Sequence, residues 1–203
     1  MDNNYNNNNM HHFFAMMSRM KYIERWSLMR NSDSENICEH SLDVAMIAHA
    51  LAVIGNTRLG KTLDTGKAAL IGMYHDATEI ITGDLPTPVK YFNADIKFAY
   101  KEVERVASTS LLSMLPDYMR PYYDELFFKS DEDAYLWKLV KAADKLSAYI
   151  KCIQEVNAGN KEFEDAKIST ETIIEELDIE EVKIFKEEFL ASYGLTLDKL
   201  KME

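Results

Sequence analysis

Met73-Tyr-His-Asp-Ala-Thr-Glu-Ile-Ile-Thr-Gly-Asp-Leu-Pro-Thr-Pro-Val-Lys-Tyr-Phe-Asn93 is the stretch on which the reading of this chain turns. Its first part belongs to a segment with helical spacing, Asp64 to Ile81, with Asp64 or Thr65 as the capping residue. Its second part, Gly83 to Pro88, carries two prolines, which argue against helix and predict a loop. Between them stands an adjacent pair, His75-Asp76, next to the apolar run Ala68 to Tyr74. A His-Asp pair on a buried helix is costly unless the carboxylate is ion-paired or bound to a metal. By itself such a dipeptide reads as a satisfied local hydrogen bond.

Working outward, the spacing of apolar residues predicts helices over 13–23, 39–54, 95–115, 121–128, 131–157, 161–177 and 179–192. Residues 30–36 read as a polar loop. No segment alternates strictly, and 7 Gly and 4 Pro in 203 residues are too few for the turns of a sandwich or barrel. The expected class is all-α. With 47% apolar and 28% charged residues the chain has a globular balance, expected as a single domain over 10–203. Residues 1–9 hold six Asn and read as a disordered tail, with Met10 as an alternative start. No membrane span or signal peptide is expected, and two lone cysteines, Cys38 and Cys152, suit a reducing cytoplasm. The net charge of −11 argues against a nucleic-acid polymer as partner. A small phosphorylated substrate is compatible with it if a cation in a cleft neutralises the phosphate.

Other residues change the meaning of the His-Asp pair. At about 100° per residue, His40 lies within about 40° of Val44 and Leu51 and so faces inward with their stripe. His49, about 180° from His40, faces away and is excluded as a co-ligand. Asp144 sits beside the inward stripe of Leu136, Leu139, Val140, Ala143 and Ile150. Three helices thus send two imidazoles and two carboxylates toward the interior. That set suits a divalent transition metal such as Mn, Co, Fe or Zn.

The order His40, His75-Asp76, Asp144 resembles the pattern of the HD-domain metal-dependent phosphohydrolases. The quoted stretch, with Arg25-Trp-Ser-Leu-Met-Arg30, Glu39-His-Ser-Leu42 and Lys141-Ala-Ala-Asp144, is similar to bacterial 5′-deoxynucleotidases of the YfbR type, from about Met10 to Lys167. The resemblance implies an HD-domain helical bundle, a homodimer, and hydrolysis of deoxyribonucleoside 5′-monophosphates to deoxynucleoside and phosphate. It implies a divalent cation, Mn, Co or similar, held by His40, His75, Asp76 and Asp144. It places substrate contacts at Arg25, Trp26, His40, Asp84, Leu85, Pro86, Thr87 and Asp144, and catalysis at Glu79 with Arg25. Glu79, four residues after His75 on the expected helix, would share its face and suit acid/base work. Arg25 suits a phosphate clamp, Trp26 a wall for the sugar, and Asp84 an acceptor for the 3′-hydroxyl.

Rival readings remain within reach of the residues. Gly55-Asn-Thr-Arg-Leu-Gly-Lys-Thr62 fits GxxxxGK[ST], the phosphate-binding loop of nucleotide triphosphatases. That motif needs a preceding strand, whereas residues 44–54 have helical periodicity, so it is expected to be a chance match between helices. Other HD proteins act on cyclic nucleotides or guanosine tetraphosphate, and a decayed HD fold would be a nucleotide sensor. The GDLPTP loop favours the monophosphatase, and the presence of all four ligands with Glu79 argues against decay. His11-His12 reads as bland, and Cys38 as an ordinary buried thiol.

Overall fold

The computed structural model describes residues 10–90 and 92–200, so the tail reading of 1–9 lies outside it. Among the described residues there is no strand, only an isolated bridge between Glu24 and Asn36. The all-α expectation holds. The helices are α1 Phe13–Met17, α2 Ile37–Arg58, α3 Thr65–Tyr74, α4 Glu79–Thr82, α5 Thr87–Lys90, α6 Ala94–Leu112, α7 Arg120–Phe127, α8 Ala134–Asn157, α9 Glu164–Glu176 and α10 Glu180–Phe189, with short 3₁₀ turns between some of them.

The centre is α2 packed on α3 and α8. Val44, Ala48 and Leu51 of α2, Ile71 of α3 and Leu139, Ala143 and Leu146 of α8 are fully buried together. By length and composition α2 is apolar enough to cross a membrane, but here that apolarity faces the core of the bundle. Asn36 starts α2 through a capping box with Glu39, which sets His40 in the second turn facing inward. A second cluster, Phe13, Leu111, Leu112 and Leu115, joins α1 to the end of α6.

Gly72 lets α3 approach α2 closely. A Cβ there would stand 2.9 Å from the Cα of Ala45, a backbone atom that cannot give way. This contact brings the turn after α3 down onto His40.

The helix expected over 64–81 is two. It is capped by Asp64, whose side chain accepts from Lys67 N–H, but it ends at Tyr74. His75 Nδ1–H donates to Gly72 O at 2.8 Å, competing for a carbonyl of the final turn. The chain then tightens through 3₁₀-type bonds, Ala77 N–H to Tyr74 O and Glu79 N–H to Asp76 O, both 3.0 Å. The helix expected over 13–23 likewise breaks after Met17, where Ser18 Oγ takes Ala15 O and Arg19 N–H takes Met16 O. The loop expected over 83–88 ends early, because a helical turn starts at Thr87 and tolerates Pro88 at its second position. Cys38 is exposed, not buried, since it projects outward from the first turn of α2.

Candidate active site

His40 on α2, His75 and Asp76 in the turn after α3, and Asp144 on α8 converge. One ligand atom from each lies within 4.8 Å of every other. His40 Nε2 is 3.2 Å from Asp144 Oδ1 and 3.6 Å from Asp76 Oδ2, and His75 Nε2 is 3.0 Å from Asp76 Oδ2. The elements differ from expectation in one respect: two helices and a turn supply the ligands, not three helices.

Both imidazole Nε2 atoms are buried without a hydrogen-bond partner. For His75 the cause is visible, because Nδ1–H is committed to Gly72 O and the tautomer leaves the Nε2 lone pair open. Two buried acceptors opposite two carboxylates are costly as they stand and fit a divalent cation well. Burial would raise the Asp76 carboxyl, but the neighbouring His75 ring, 3.0 Å away, holds it far below the usual range. Burial likewise opposes ionisation of Asp144, and Lys145 and His40 outweigh it. Both carboxylates are therefore ionised, as ligation requires.

Glu79 is not among the converging four. It is 5% exposed and its Oε2 has no hydrogen-bond partner. Burial, then the charges of Asp76 and Asp84, push its carboxyl up to about 9. It stands close enough to Asp76 to feel its charge, although the unbroken helix invoked for it is absent. Gly83, at φ 72°, ends α4 in a conformation that favours glycine and swings Asp84 into the site.

A cleft of about 790 Å³ opens beside the ligands, lined by Arg25, Trp26, Asp84, Leu85, Pro86 and Thr87. Every residue expected to touch substrate thus faces this cleft or the ligand cluster. Lys141 and Lys145 on α8 also line it, and Lys145 Nζ is 2.9 Å from Asp144 Oδ2. In an acidic chain this cleft is locally cationic.

Three features escaped the sequence. Glu35, in the polar loop, accepts from Arg25 Nη1 at 3.1 Å and from Trp26 Nε1 at 2.9 Å. Burial opposes its ionisation, but the nearby His40 ring and the charge of Arg25 lower its carboxyl below the ordinary value. Trp26 itself has φ 56°, a left-handed conformation that costs a bulky residue about 1–3 kcal/mol. The α9 residues Ala166, Ser169, Thr170 and Ile173 form a wall of the cleft, and three of them lie beyond Lys167, where the resemblance read from the sequence stops. Finally, Glu155 binds Ser32 and Asp33 N–H, while Lys151 donates to Asp33 O, so the end of α8 pins the loop that carries Arg25. No local pattern marks these residues, since their contacts reach across nine or more positions of sequence.

The GxxxxGK[ST] segment forms no phosphate loop. Residues 55–58 are the last turn of α2, and Lys61 Nζ donates to buried Glu181 at 2.6 Å.

An all-helical bundle with two histidines and two aspartates gathered at a cationic cleft defines an HD-domain metal-dependent phosphohydrolase. Solved structures agree on the fold: an HD-domain phosphohydrolase from Listeria innocua superposes with TM-score 0.76 at 24% identity, covering 89% of this chain and 87% of that one. A cyanophage S-2L HD phosphohydrolase, described as bound to dA and one catalytic Zn²⁺ ion, gives TM-score 0.64 at 17% identity over 88% and 96%. The family model for 5′-deoxynucleotidase YfbR-like proteins matches residues 12–193, extending past the Lys167 limit read from the sequence. The 5′-deoxynucleotidase YfbR of Shigella flexneri is 47% identical over 95% of this chain and 96% of its own, and a 5′-deoxynucleotidase of Erwinia tasmaniensis is 47% identical over 95% and 97%. The chain belongs to the YfbR-like 5′-deoxynucleotidase family.

Proposed function

We propose that this chain performs the phosphomonoesterase reaction of its family, on deoxyribonucleoside 5′-monophosphates, in the cleft between α8, α9 and the loops at 25–29 and 84–88. The observation that carries the reading is the pair of partnerless imidazole nitrogens facing two carboxylates at the floor of a cationic cleft.

His40, His75, Asp76 and Asp144 would hold the cation, Mn, Co or a similar transition metal. When bound, such a cation polarises a phosphoryl oxygen and supplies hydroxide at neutral pH. The rest of the work falls to side chains. Arg25, with Lys141 and Lys145, neutralises the phosphate dianion, and the planar guanidinium fixes its orientation. His40 and Asp144 form the floor against which the phosphate end lies. Glu79, protonated at neutral pH by its burial between carboxylates, gives its proton to the departing O5′. Asp84 accepts from the 3′-hydroxyl, with Leu85, Pro86 and Thr87 holding that rim. Trp26 has its one polar atom engaged by Glu35, so its cleft face offers a 2′-hydroxyl no partner.

A homodimer fits the exposed apolar residues Ile96, Val103 and Val106, which lie within about 80° of one another on α6. Light scattering on the purified protein tests it, and a monomer at micromolar concentration would refute it. The free thiols of Cys38 and Cys152 suit the cytoplasm.

The deciding experiment is phosphate release from a panel of 5′-ribo- and deoxyribonucleotides, with and without Mn²⁺ or Co²⁺. Deoxyribonucleoside monophosphates should be hydrolysed best and only with metal. Preference for a cyclic nucleotide or a guanosine polyphosphate would move the chain to another branch of the superfamily.

A further inference from the structure

We infer that Glu35 is a positioning residue that sets the phosphate clamp and the sugar wall together, an inference that rests on the deoxynucleotidase reading of the cleft. One carboxylate oxygen, Oε2, receives both Arg25 Nη1 and Trp26 Nε1, at 3.1 and 2.9 Å. The other oxygen stands 3.7 Å from His40 Nδ1, behind the metal-ligand imidazole. A single buried carboxyl, 11% exposed, therefore touches or faces the three residues assigned to phosphate, sugar and metal.

The loop does not need this side chain for its own closure. Its backbone is already tied by Arg25 N–H to Glu35 O, by the Glu24–Asn36 bridge, and by Glu155 and Lys151 at residues 32–33. What the side chain adds is orientation. Trp26 sits on a left-handed backbone that an indole does not favour, and the bond to Glu35 fixes which way its ring turns. The ring then rests on Phe163, 5.3 Å between centroids, with the Arg25 guanidinium 5.9 Å over it.

Arg25 has a second partner, His40 Nδ1, at 2.5 Å. When His40 ligates a cation through Nε2, its Nδ1 carries the proton and no longer accepts from Arg25. Glu35 then remains the acceptor that aims the guanidinium. The charge of Glu35 serves Arg25, whereas a neutral oxygen suffices for the indole N–H. The two roles are therefore separable by substitution.

Glu35→Ala should lower kcat/KM for dAMP at least tenfold at saturating Mn²⁺ and narrow the ratio of dAMP to AMP hydrolysis. Glu35→Gln, which keeps an acceptor without the charge, should retain that ratio and still lose kcat/KM. The direct readout is the Trp26 indole ¹H–¹⁵N resonance, assigned by its absence in Trp26→Phe. It should move in Glu35→Ala and stay near its original position in Glu35→Gln. An unmoved indole resonance or an unchanged dAMP/AMP ratio in Glu35→Ala overturns the inference. If Glu35→Ala does not fold, wild-type kcat/KM in Glu35→Gln overturns it. If the unaltered chain fails to hydrolyse dAMP, the functional reading falls, and the indole resonance still decides the positioning of Trp26.

Discussion

The buried charge around Glu181 and the buried charge beneath the cleft differ in how completely they are satisfied. At the end of α2, Glu181 is fully buried, with Lys61 2.6 Å from one oxygen and the Tyr135 hydroxyl 3.1 Å from the other. Nothing there lacks a partner, and the cluster staples α10 to the core. Beneath the cleft, His40 Nε2, His75 Nε2 and Glu79 Oε2 are buried with no hydrogen-bond partner at all. Folding gains nothing from such atoms and is opposed by them. The two imidazole nitrogens belong to the four residues that converge, so a bound cation would satisfy them. The difference separates scaffold from site, even though the scaffold cluster carries the more familiar sequence motif.

The sharpest way to break this contrast is to remove a ligand. Asp76→Ala should abolish hydrolysis, by a factor on the order of a thousand or more, while the protein stays folded. Activity retained within tenfold would mean that the four residues are scaffold too.

A satisfied carboxylate should behave in the opposite way, through stability. Glu155 is 2% exposed. Burial would raise its carboxyl, but Lys151, Asn160 and the Ser32 and Asp33 N–H groups hold it at about 2. The unfolded chain, with the carboxyl near 4.5, then binds more protons than the folded one between pH 4.5 and 2. This contribution, about 3 kcal/mol, is complete above pH 4.5 and is lost as the pH falls toward 2. Urea unfolding across that range should show the loss, and Glu155→Gln should flatten it. An identical acid slope in the variant would contradict the assignment.

Glu79→Gln should lower kcat at least about a hundredfold with metal content unchanged. Because it removes a carboxyl crowded by Asp76 and Asp84, its melting temperature should not fall. A loss of metal would make Glu79 a ligand instead. The smallest effect is expected at the scaffold cluster. Lys61→Ala should cost about 2–3 kcal/mol of stability and leave turnover per folded molecule intact. Loss of all hydrolysis there would revive the phosphate-loop reading of residues 55–62.

Legibility in the sequence follows the same division. The inward direction of His40 and Asp144 was readable because helical periodicity fixes side-chain direction relative to an apolar stripe. His49 was excluded by the same rule, and it is exposed. The break at His75 was not readable, because it arises from the imidazole competing for Gly72 O, a contact that periodicity does not encode. The catalytic role of Glu79 came from resemblance, and its expected place on one helix with His75 does not hold, since no continuous helix joins them. Glu35 and the α9 wall were invisible because their meaning depends on what the fold brings beside them. Glu181 stands in an acidic segment with nothing local to mark it as buried, and only its packing against α2 shows it.

The central claim is that the orphaned imidazoles and their carboxylates are a cation site. Calorimetric titration of Mn²⁺ into chelator-treated, dialysed protein tests it most directly, with His75→Ala alongside. Saturable binding of Mn²⁺ to the unaltered chain, lost in the variant, is the predicted result. Absence of binding to the unaltered chain, or equal binding by His75→Ala, would contradict the account.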